Sequence, residues 1–385
     1  MRFDYIVVGG GISGAATAYH LQKGGAKVLL VEKGDLAGGG TGKSAAIVRQ
    51  HYSTPLMARL ARRSIALFEA MPSELGASGG FVRTGYHLLL SPTMLDAAVA
   101  NVEMQRAVGV QTSLVPRTAW GSFDWLDPDG VAGIVHEPDG GYADPVASVE
   151  AYAAAFQRAG GTLRTKTACR ALIRSGDRVT GIVTDDGDVL AEGVVNAAGP
   201  WARFLAESAG LALEMRTVRE QDTVWAARGG HPVPSGSVSN GVDAIYLRPL
   251  GEGRFIVGRG FPKDYDDVDP YNYKTTADDA FVADVQSRLD RHLPGFAGAR
   301  LIASYAALYD VSVDWYSYVG PRAGIVGYFD FSGGSGHGFK IAPAMAEELA
   351  AWITTGRVAP DFAGLGYDRV KTGRLFKGSY GGNRG

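Results

Sequence analysis

The apolar positions of this chain run in two periods, and the first 33 residues show both. "FDYIVV" (3–8) is apolar and β-branched, "GGGISG" (9–14) breaks it, "AATAYHLQKG" (15–24) has the composition of a helix, and "AKVLLVEK" (26–33) is apolar again. The order predicts strand, glycine turn, helix and strand, a βαβ unit. Leu56, Leu60, Ile65 and Phe68 recur at helical spacing behind Thr54-Pro55, which predicts a helix over 54–71 that packs on the sheet. From "GYHLLLS" (85–91) onward the pattern changes to short strands and irregular loops. "DPVASVEAYAAAFQRAGG" (144–161) then supplies a helix with an Asp cap and a Gly-Gly stop.

The segments 162–174, 178–187 and 189–199 read as strands, the last ending in small residues that let backbone come close to a ligand. Residues 215–310 are rich in strands: "TVWAAR" (223–228), a hairpin in "AIYLRPLGEGRFIVGRG" (244–260) and "LIASYAALYD" (301–310), with one helix near 277–293. A final helix is expected over 342–356, closed by Gly356. At 385 residues the chain exceeds the size at which one core keeps growing, so two domains are expected. The pattern predicts an α/β protein with a discontinuous Rossmann-like domain (1–85, 144–214 and 311–385). A second, strand-rich domain would comprise 86–143 and 215–310.

Composition narrows the partner. Hydrophobic and charged fractions of 46% and 20% are ordinary, but 54 glycines are about twice the usual ~7% share, which calls for loops that approach a ligand closely. The net charge of −2, without a basic stripe, recommends neither nucleic acid nor a membrane surface. The single cysteine, Cys169, rules out an internal disulfide. The N-terminus enters a strand without the regions of a signal peptide, and no apolar run approaches the ~20 residues of a membrane span. A cytoplasmic protein with a small-molecule partner is expected, and no metal ligands are singled out. Only the tail "GSYGGNRG" (378–385) resembles low-complexity sequence.

Gly9, Gly11 and Gly14 form G-x-G-x-x-G between a strand and a helix, and Glu32 ends the next strand. In a dinucleotide site Gly9 turns the chain and Gly11, beside Ile12 and Ser13, admits a pyrophosphate to the helix N-terminus. Gly14 lets helix and strand pack, and Glu32 accepts ribose hydroxyls. A second glycine loop, "AGGGTGKS" (37–44), imitates a phosphate-binding P-loop but lacks its first glycine, so it binds either a nucleoside triphosphate or, with Lys43 and Ser44, the same dinucleotide.

Seven stretches together resemble the FAD-dependent amine and amino-acid oxidoreductases related to sarcosine oxidase, glycine oxidase and D-amino acid oxidase. They are "VVGGGISGAATAYHL", "VEK", "GKSAAIVRQHYS", "GGYADP", "NAAGPW", "LYDVSVDWYSYVGP" and "FSGGSGHGFK", in the family's order over nearly the whole chain. The resemblance implies FAD, bound across the first domain under an antiparallel sheet on which the second domain is built. Lys33, Ala45, Ala198 and Gly199 would join the cofactor residues, with Cys169 where a small residue's backbone touches the adenine. The late loop, Gly334, Gly336, His337, Gly338 and Phe339, would lie along the flavin, His337 shaping the loop or touching the ring.

In the sarcosine-oxidase branch an arginine and a lysine at the positions of Arg49 and Lys340 hold the substrate carboxylate, as fork and point charge. Tyr246 and Arg248 share one face of a strand and either line the pocket or sit on an outer barrel face. His51 lies either near the ring or at the domain seam. Tyr309 stands where glycine and D-amino acid oxidases carry a carboxylate-binding arginine, which turns the resemblance toward the sarcosine branch. Ala307 stands where covalent sarcosine oxidases carry a cysteine, so noncovalent FAD is expected. Ile256 stands where monomeric sarcosine oxidases use a lysine to speed the reaction with oxygen, which opens a dehydrogenase with another acceptor.

The expected activity is hydride transfer from a small, secondary or N-alkylated amino acid to flavin, giving an imine that hydrolyses. The alternatives are oxidation of a 2-hydroxy acid, an amino-acid dehydrogenase using a non-oxygen acceptor, and a non-catalytic flavoprotein scaffold.

Overall fold

A computed structural model describes residues 2–380; of the tail "GSYGGNRG", residues 381–385 lie outside them. The predicted βαβ unit is Arg2–Val8, Ile12–Lys23 and Val28–Val31. Its strands join an eight-stranded sheet in which Thr162–Arg164, Val28–Val31, Arg2–Val8, Gly187–Asn196 and Ile325–Ser332 lie side by side and parallel. Every residue of Val28–Val31 is buried, as a strand covered on both faces requires. Helices Ile12–Lys23, Pro145–Arg158 and Gly338–Thr355 cover one face. The antiparallel pair Cys169–Ser175 and Arg178–Thr184 and the short helix Ala202–Glu207 pack toward the other.

The capping residues act as their types predict. Thr54 Oγ1 accepts from the Met57 amide at 3.3 Å at the start of Pro55–Glu74, and Asp144 Oδ1 accepts from Val146 and Ala147 at 2.9 and 3.0 Å at the start of Pro145–Arg158.

A second, nine-stranded sheet is antiparallel except where Ser237–Asn240 runs parallel to Tyr86–Leu90. Its long strand Met215–Ala226 pairs with Arg300–Ser312 on one side and with Arg254–Arg259 on the other, and Arg254–Arg259 forms a hairpin with Ile245–Gly251.

Three local expectations need correction. Residues Leu95–Ala107 form a helix where short strands and loops were expected, because nine of the thirteen residues of "LDAAVANVEMQRA" are good helix formers even though its apolar stripe is weak. The segment 162–174 is two strands, broken where Lys166 adopts φ +52°. The helix expected over 342–356 starts earlier, at Gly338, and places Lys340 in its first turn; Pro360–Ala363 and Asp368–Lys371 follow it. No helix among the described residues is long and apolar enough to cross a membrane.

Candidate active site

A cavity of about 620 Å³ opens where the carboxyl ends of the parallel strands meet one face of the antiparallel sheet. Ligands of doubly wound folds bind at such strand ends. Gly9, Gly10 and Gly11 line it, with Ile12 and Ser13 of the following helix. Gly14 lies behind this wall. A Cβ there would fall 1.8 Å from the Gly9 carbonyl oxygen, so only glycine allows helix and strand to approach this closely. The helix Ile12–Lys23 has neither a side-chain cap nor an acid in its first turn among the described residues, so the positive end of its dipole faces the cavity. Glu32 accepts from the Gly10 and Gly34 amides, both at 2.7 Å, which fixes its carboxylate at the cavity edge.

Lys33 Nζ lies 3.1 Å from the centroid of the Trp201 ring, and burial lowers its pKa to about 8. Ser44, Ala45, Cys169, Ala198 and Gly199 also line the cavity. Burial pushes the Cys169 thiol up to about 12, which leaves it protonated and unreactive. The loop 37–44 packs against the first helix through Thr41 Oγ1, which accepts from the Ile12 amide at 3.3 Å. Lys43 donates to Tyr273 Oη at 3.0 Å and to the Ala306 carbonyl at 3.2 Å, so its ammonium ties the loop to the antiparallel sheet.

The late glycine loop closes another wall. Asp310 Oδ2 accepts from the Gly333 amide at 2.7 Å, and the Ser335 amide donates to the Asp310 carbonyl at 2.9 Å. Gly336 has φ +79° and its Cβ would lie 2.5 Å from the Tyr309 ring. Gly334, Gly336, Gly338, Phe339 and Lys340 line the cavity, and the helix Gly338–Thr355 also presents an N-terminus without a side-chain cap. His337 does not line the cavity. Its Nε2–H donates to the Trp315 carbonyl at 2.7 Å and its Nδ1 accepts from Tyr52 Oη at 3.4 Å. Burial, with the charges of Lys340 and Arg49, lowers its pKa to about 3. The ring is therefore neutral, and its placement favours shaping the loop over touching a ligand.

Arg49 and Lys340 meet in the cavity wall, 9% and 8% exposed. The Arg49 guanidinium donates through Nη1 to the His51 carbonyl and lies 4.9 Å from the centroid of Tyr52. The Lys340 ammonium has no hydrogen bond or ion pair to protein among the described residues. Burial first, then the charge of Arg49, lowers its pKa well below the usual lysine value. Burial and Arg49 disfavour charge on Lys340 unless an anion joins them, because the buried carboxyl of Glu137 acts on Arg49 and not on Lys340. His51 lines the same region, with Nε2 2.9 Å from Tyr380 Oη and Nδ1 3.2 Å from Gln105 Nε2; burial and Arg49 lower its pKa to about 3.

Tyr246 and Tyr309 face the cavity from the antiparallel sheet, and Tyr246 Oη donates to Asp222 Oδ1 at 2.7 Å. Arg248, two residues along the same strand face, lies outside the cavity. Its guanidinium stacks on Tyr142 at 4.6 Å and donates to the Ala143 carbonyl at 3.0 Å. Alternation puts the two side chains on one face, but the cavity does not extend along the whole strand. Ile256 pairs across from Arg248 and also lies outside the cavity, while Arg259 reaches the Ala244 carbonyl and Asp284 on the other side.

Sequence reasoning missed Asp222, Glu137 and Tyr380. Glu137 is fully buried, interacts electrostatically with Arg49 and accepts from the Gln50 backbone amide at 2.6 Å; burial raises its pKa to about 7. The signal for Asp222 was present, since Glu220 and Asp222 alternate in a strand, where acids are depleted. Tyr380 carried no signal.

A family model described as FAD dependent oxidoreductase (DAO) matches residues 4–352. The 4-methylaminobutanoate oxidase (formaldehyde-forming) of Paenarthrobacter nicotinovorans is 27% identical over 377 residues, spanning 94% of this chain but 45% of that protein. Sarcosine oxidase subunit beta of an Arthrobacter species is 26% identical over 396 residues, spanning 97% of this chain and 92% of that one. The solved structure of L-proline dehydrogenase from P. horikoshii superposes with a TM-score of 0.89 at 26% identity, over 97% of this chain and 99% of that one. A glycine cradle at the strand ends, a second sheet closing the cavity, and a family match running from the first strand into the last long helix have one common explanation: the chain belongs to the DAO family of FAD-dependent oxidoreductases.

Proposed function

We propose that this flavoprotein oxidises the C–N bond of a small amino acid whose nitrogen carries a second carbon substituent. The observation that carries the reading is the buried pair Arg49 and Lys340, the lysine without an acidic partner among the described residues. A substrate carboxylate would supply the missing negative charge, held by a fork and a point charge. The names of the relatives support the same class, since 4-methylaminobutanoate, sarcosine and L-proline are all secondary amino acids.

The residues present fit FAD. Two uncapped helix N-termini face the cavity, Glu32 stands at its edge, and the glycines leave room for close approach of a ligand. We assign the cradle around Gly9, Gly11 and Glu32 to the dinucleotide, within a cofactor unit of 1–85, 144–214 and 311–385, and the face of 86–143 and 215–310 to the substrate side. Bound there, FAD would supply the hydride acceptor for the carbon beside the substrate nitrogen. Arg49 and Lys340 hold the carboxylate so that this carbon is presented in one orientation, and fixing the reactants in this way replaces about 7–11 kcal/mol of barrier. His51 and His337, both neutral, supply no proton, and Tyr246 and Tyr309 close the pocket.

Mixing the yellow protein anaerobically with N-methyl, cyclic, primary D- and L-amino acids and 2-hydroxy acids tests the reading. Bleaching of the flavin band by N-methyl or cyclic amino acids is the expected result. Bleaching by hydroxy acids alone, or by nothing except dithionite, overturns it. Admitting air afterward separates an oxidase from a dehydrogenase.

We also infer noncovalent FAD. Ala307 lines the cavity and cannot form a thioether, and the one thiol of the chain, Cys169, stays protonated. Acid precipitation should leave a colourless pellet and a yellow supernatant; a yellow pellet would contradict the assignment.

A further inference from the structure

The antiparallel sheet brings an acid of its own into the cavity. In "REQDTVW" (219–225) a period of two sends Glu220 and Asp222 to the same face of the strand Met215–Ala226. Glu220 pairs through Oε1 with Lys263 Nζ, which also donates to the Arg259 carbonyl at 2.7 Å; its Oε2 has no partner among the described residues, but Glu220 does not line the cavity. Asp222 is different. It is 3% exposed, lines the cavity, and accepts one hydrogen bond, from Tyr246 to Oδ1; its Oδ2 has no protein donor among the described residues. A buried carboxylate with a vacant oxygen is costly unless something completes it. Arg49 and Lys340 line another part of the same cavity, so its wall offers basic groups for a carboxylate as well as an acid for an ammonium group.

Resting on the reading above, we propose that Asp222 receives the amino group of the substrate and accepts its proton, so that the site selects amino acids over 2-hydroxy acids. The N–H bond of the ammonium breaks, an O–H bond forms on Asp222, and the electron pair stays on nitrogen, where it is available for the C=N bond; this step itself needs no oxidant. Tyr246 occupies Oδ1 and leaves Oδ2 for the amine.

The charged and titratable groups around Asp222 are Glu220 on its own strand, Tyr246 on the hairpin strand, Tyr305 and Tyr309 on Arg300–Ser312, and Lys263 beyond the hairpin, with Arg49 and Lys340 elsewhere in the wall. Burial, then the charge of Glu220, raises the carboxyl to about 7 against the Tyr246 bond and Lys263. Below that pH the group is protonated and cannot accept the ammonium proton, and above it the group can. Flavin reduction should therefore rise through about pH 7.

Asp222→Asn removes the charge and keeps the shape. The holoenzyme is reduced anaerobically with whichever of sarcosine and L-proline bleaches the wild type faster, and titrated spectrally with the nitrogen-free counterpart, acetate or cyclopentanecarboxylate. The expected result is a kcat/KM lower by about 100-fold at pH 7, with the nitrogen-free acid bound as in the wild type. The step near neutrality should vanish, leaving a rise only at alkaline pH, where the amine arrives without its proton and the two proteins converge. Tyr246→Phe removes a bond that holds the Asp222 pKa down, so its step should move to higher pH. Wild-type kcat/KM and pH profile in Asp222→Asn, or an unmoved step in Tyr246→Phe, overturn the assignment while the amine reading stands. A wild-type flavin that no amine bleaches removes the amine reading, and this inference with it.

Discussion

Gly11→Val should yield a folded protein that is colourless and inactive. Gly11 stands at the N-cap of Ile12–Lys23 with φ −82°, a backbone that any residue adopts, and the nearest atom to an added Cβ is the Thr41 hydroxyl at 2.9 Å. Nothing in the backbone resists the substitution. The new side chain instead adds bulk at the helix N-terminus that lines the cavity, where an anionic pyrophosphate would gain from the dipole. Affinity for FAD should fall by more than about 100-fold, or roughly 3 kcal/mol, read from the ratio of flavin to protein absorbance and from titration of the apoprotein. Gly14→Val makes the contrast, because its Cβ would meet the Gly9 carbonyl oxygen at 1.8 Å and so costs the fold as well. The two variants separate by their melting temperatures. A yellow Gly11→Val protein with normal affinity would remove this helix terminus from the cofactor site.

The second large effect is expected at the cation pair. Lys340→Met and Arg49→Met should each lower kcat/KM by roughly 30-fold to several thousandfold, equivalent to about 2–5 kcal/mol, the usual cost of truncating one partner of a buried charge pair. FAD content should stay near that of the wild type. Lys340 is the cleaner test, since its stem is buried in the first turn of Gly338–Thr355 and methionine reproduces that stem without the charge. The free lysine is held well below its ordinary pKa by burial and by Arg49, so a bound carboxylate restores the ammonium that recognises it. Binding of a plain carboxylic acid to the wild type should accordingly weaken as pH rises through the depressed pKa of Lys340, and this pH dependence should be absent in Lys340→Met. Unchanged kinetics in both variants would take the pair out of the substrate site.

Much of this could be read along the chain. The βαβ unit at the N-terminus, the Asp144 cap and the 244–260 hairpin rest on local rules, namely side-chain period, capping chemistry and turn residues, and they form where those rules place them. The helix Leu95–Ala107 escaped because its amphipathic pattern is faint, and only composition argued for it. Family resemblance carried the remainder, from FAD to the pairing of an arginine at 49 with a lysine at 340.

What the sequence determined by itself was therefore the kind of element, the glycine cradle with its acid at Glu32, and the presence of two cations in distant motifs. The tertiary structure supplied the physical reason for the pair that the resemblance had implied, and it alone decided which other side chains meet. Arg49 and Lys340 are separated by most of the chain, and their proximity follows from a loop after the second parallel strand meeting the start of the last long helix. Tyr246 and Arg248 share one face, yet the cavity ends between them; His337 sits in the glycine loop, yet turns its ring to Trp315 and Tyr52. Asp222 drew no notice as one acid in a strand. It becomes a candidate because strand pairing sets it beside Tyr246 on a buried face, where loss of water, a property of the assembled fold, changes what a carboxylate can do.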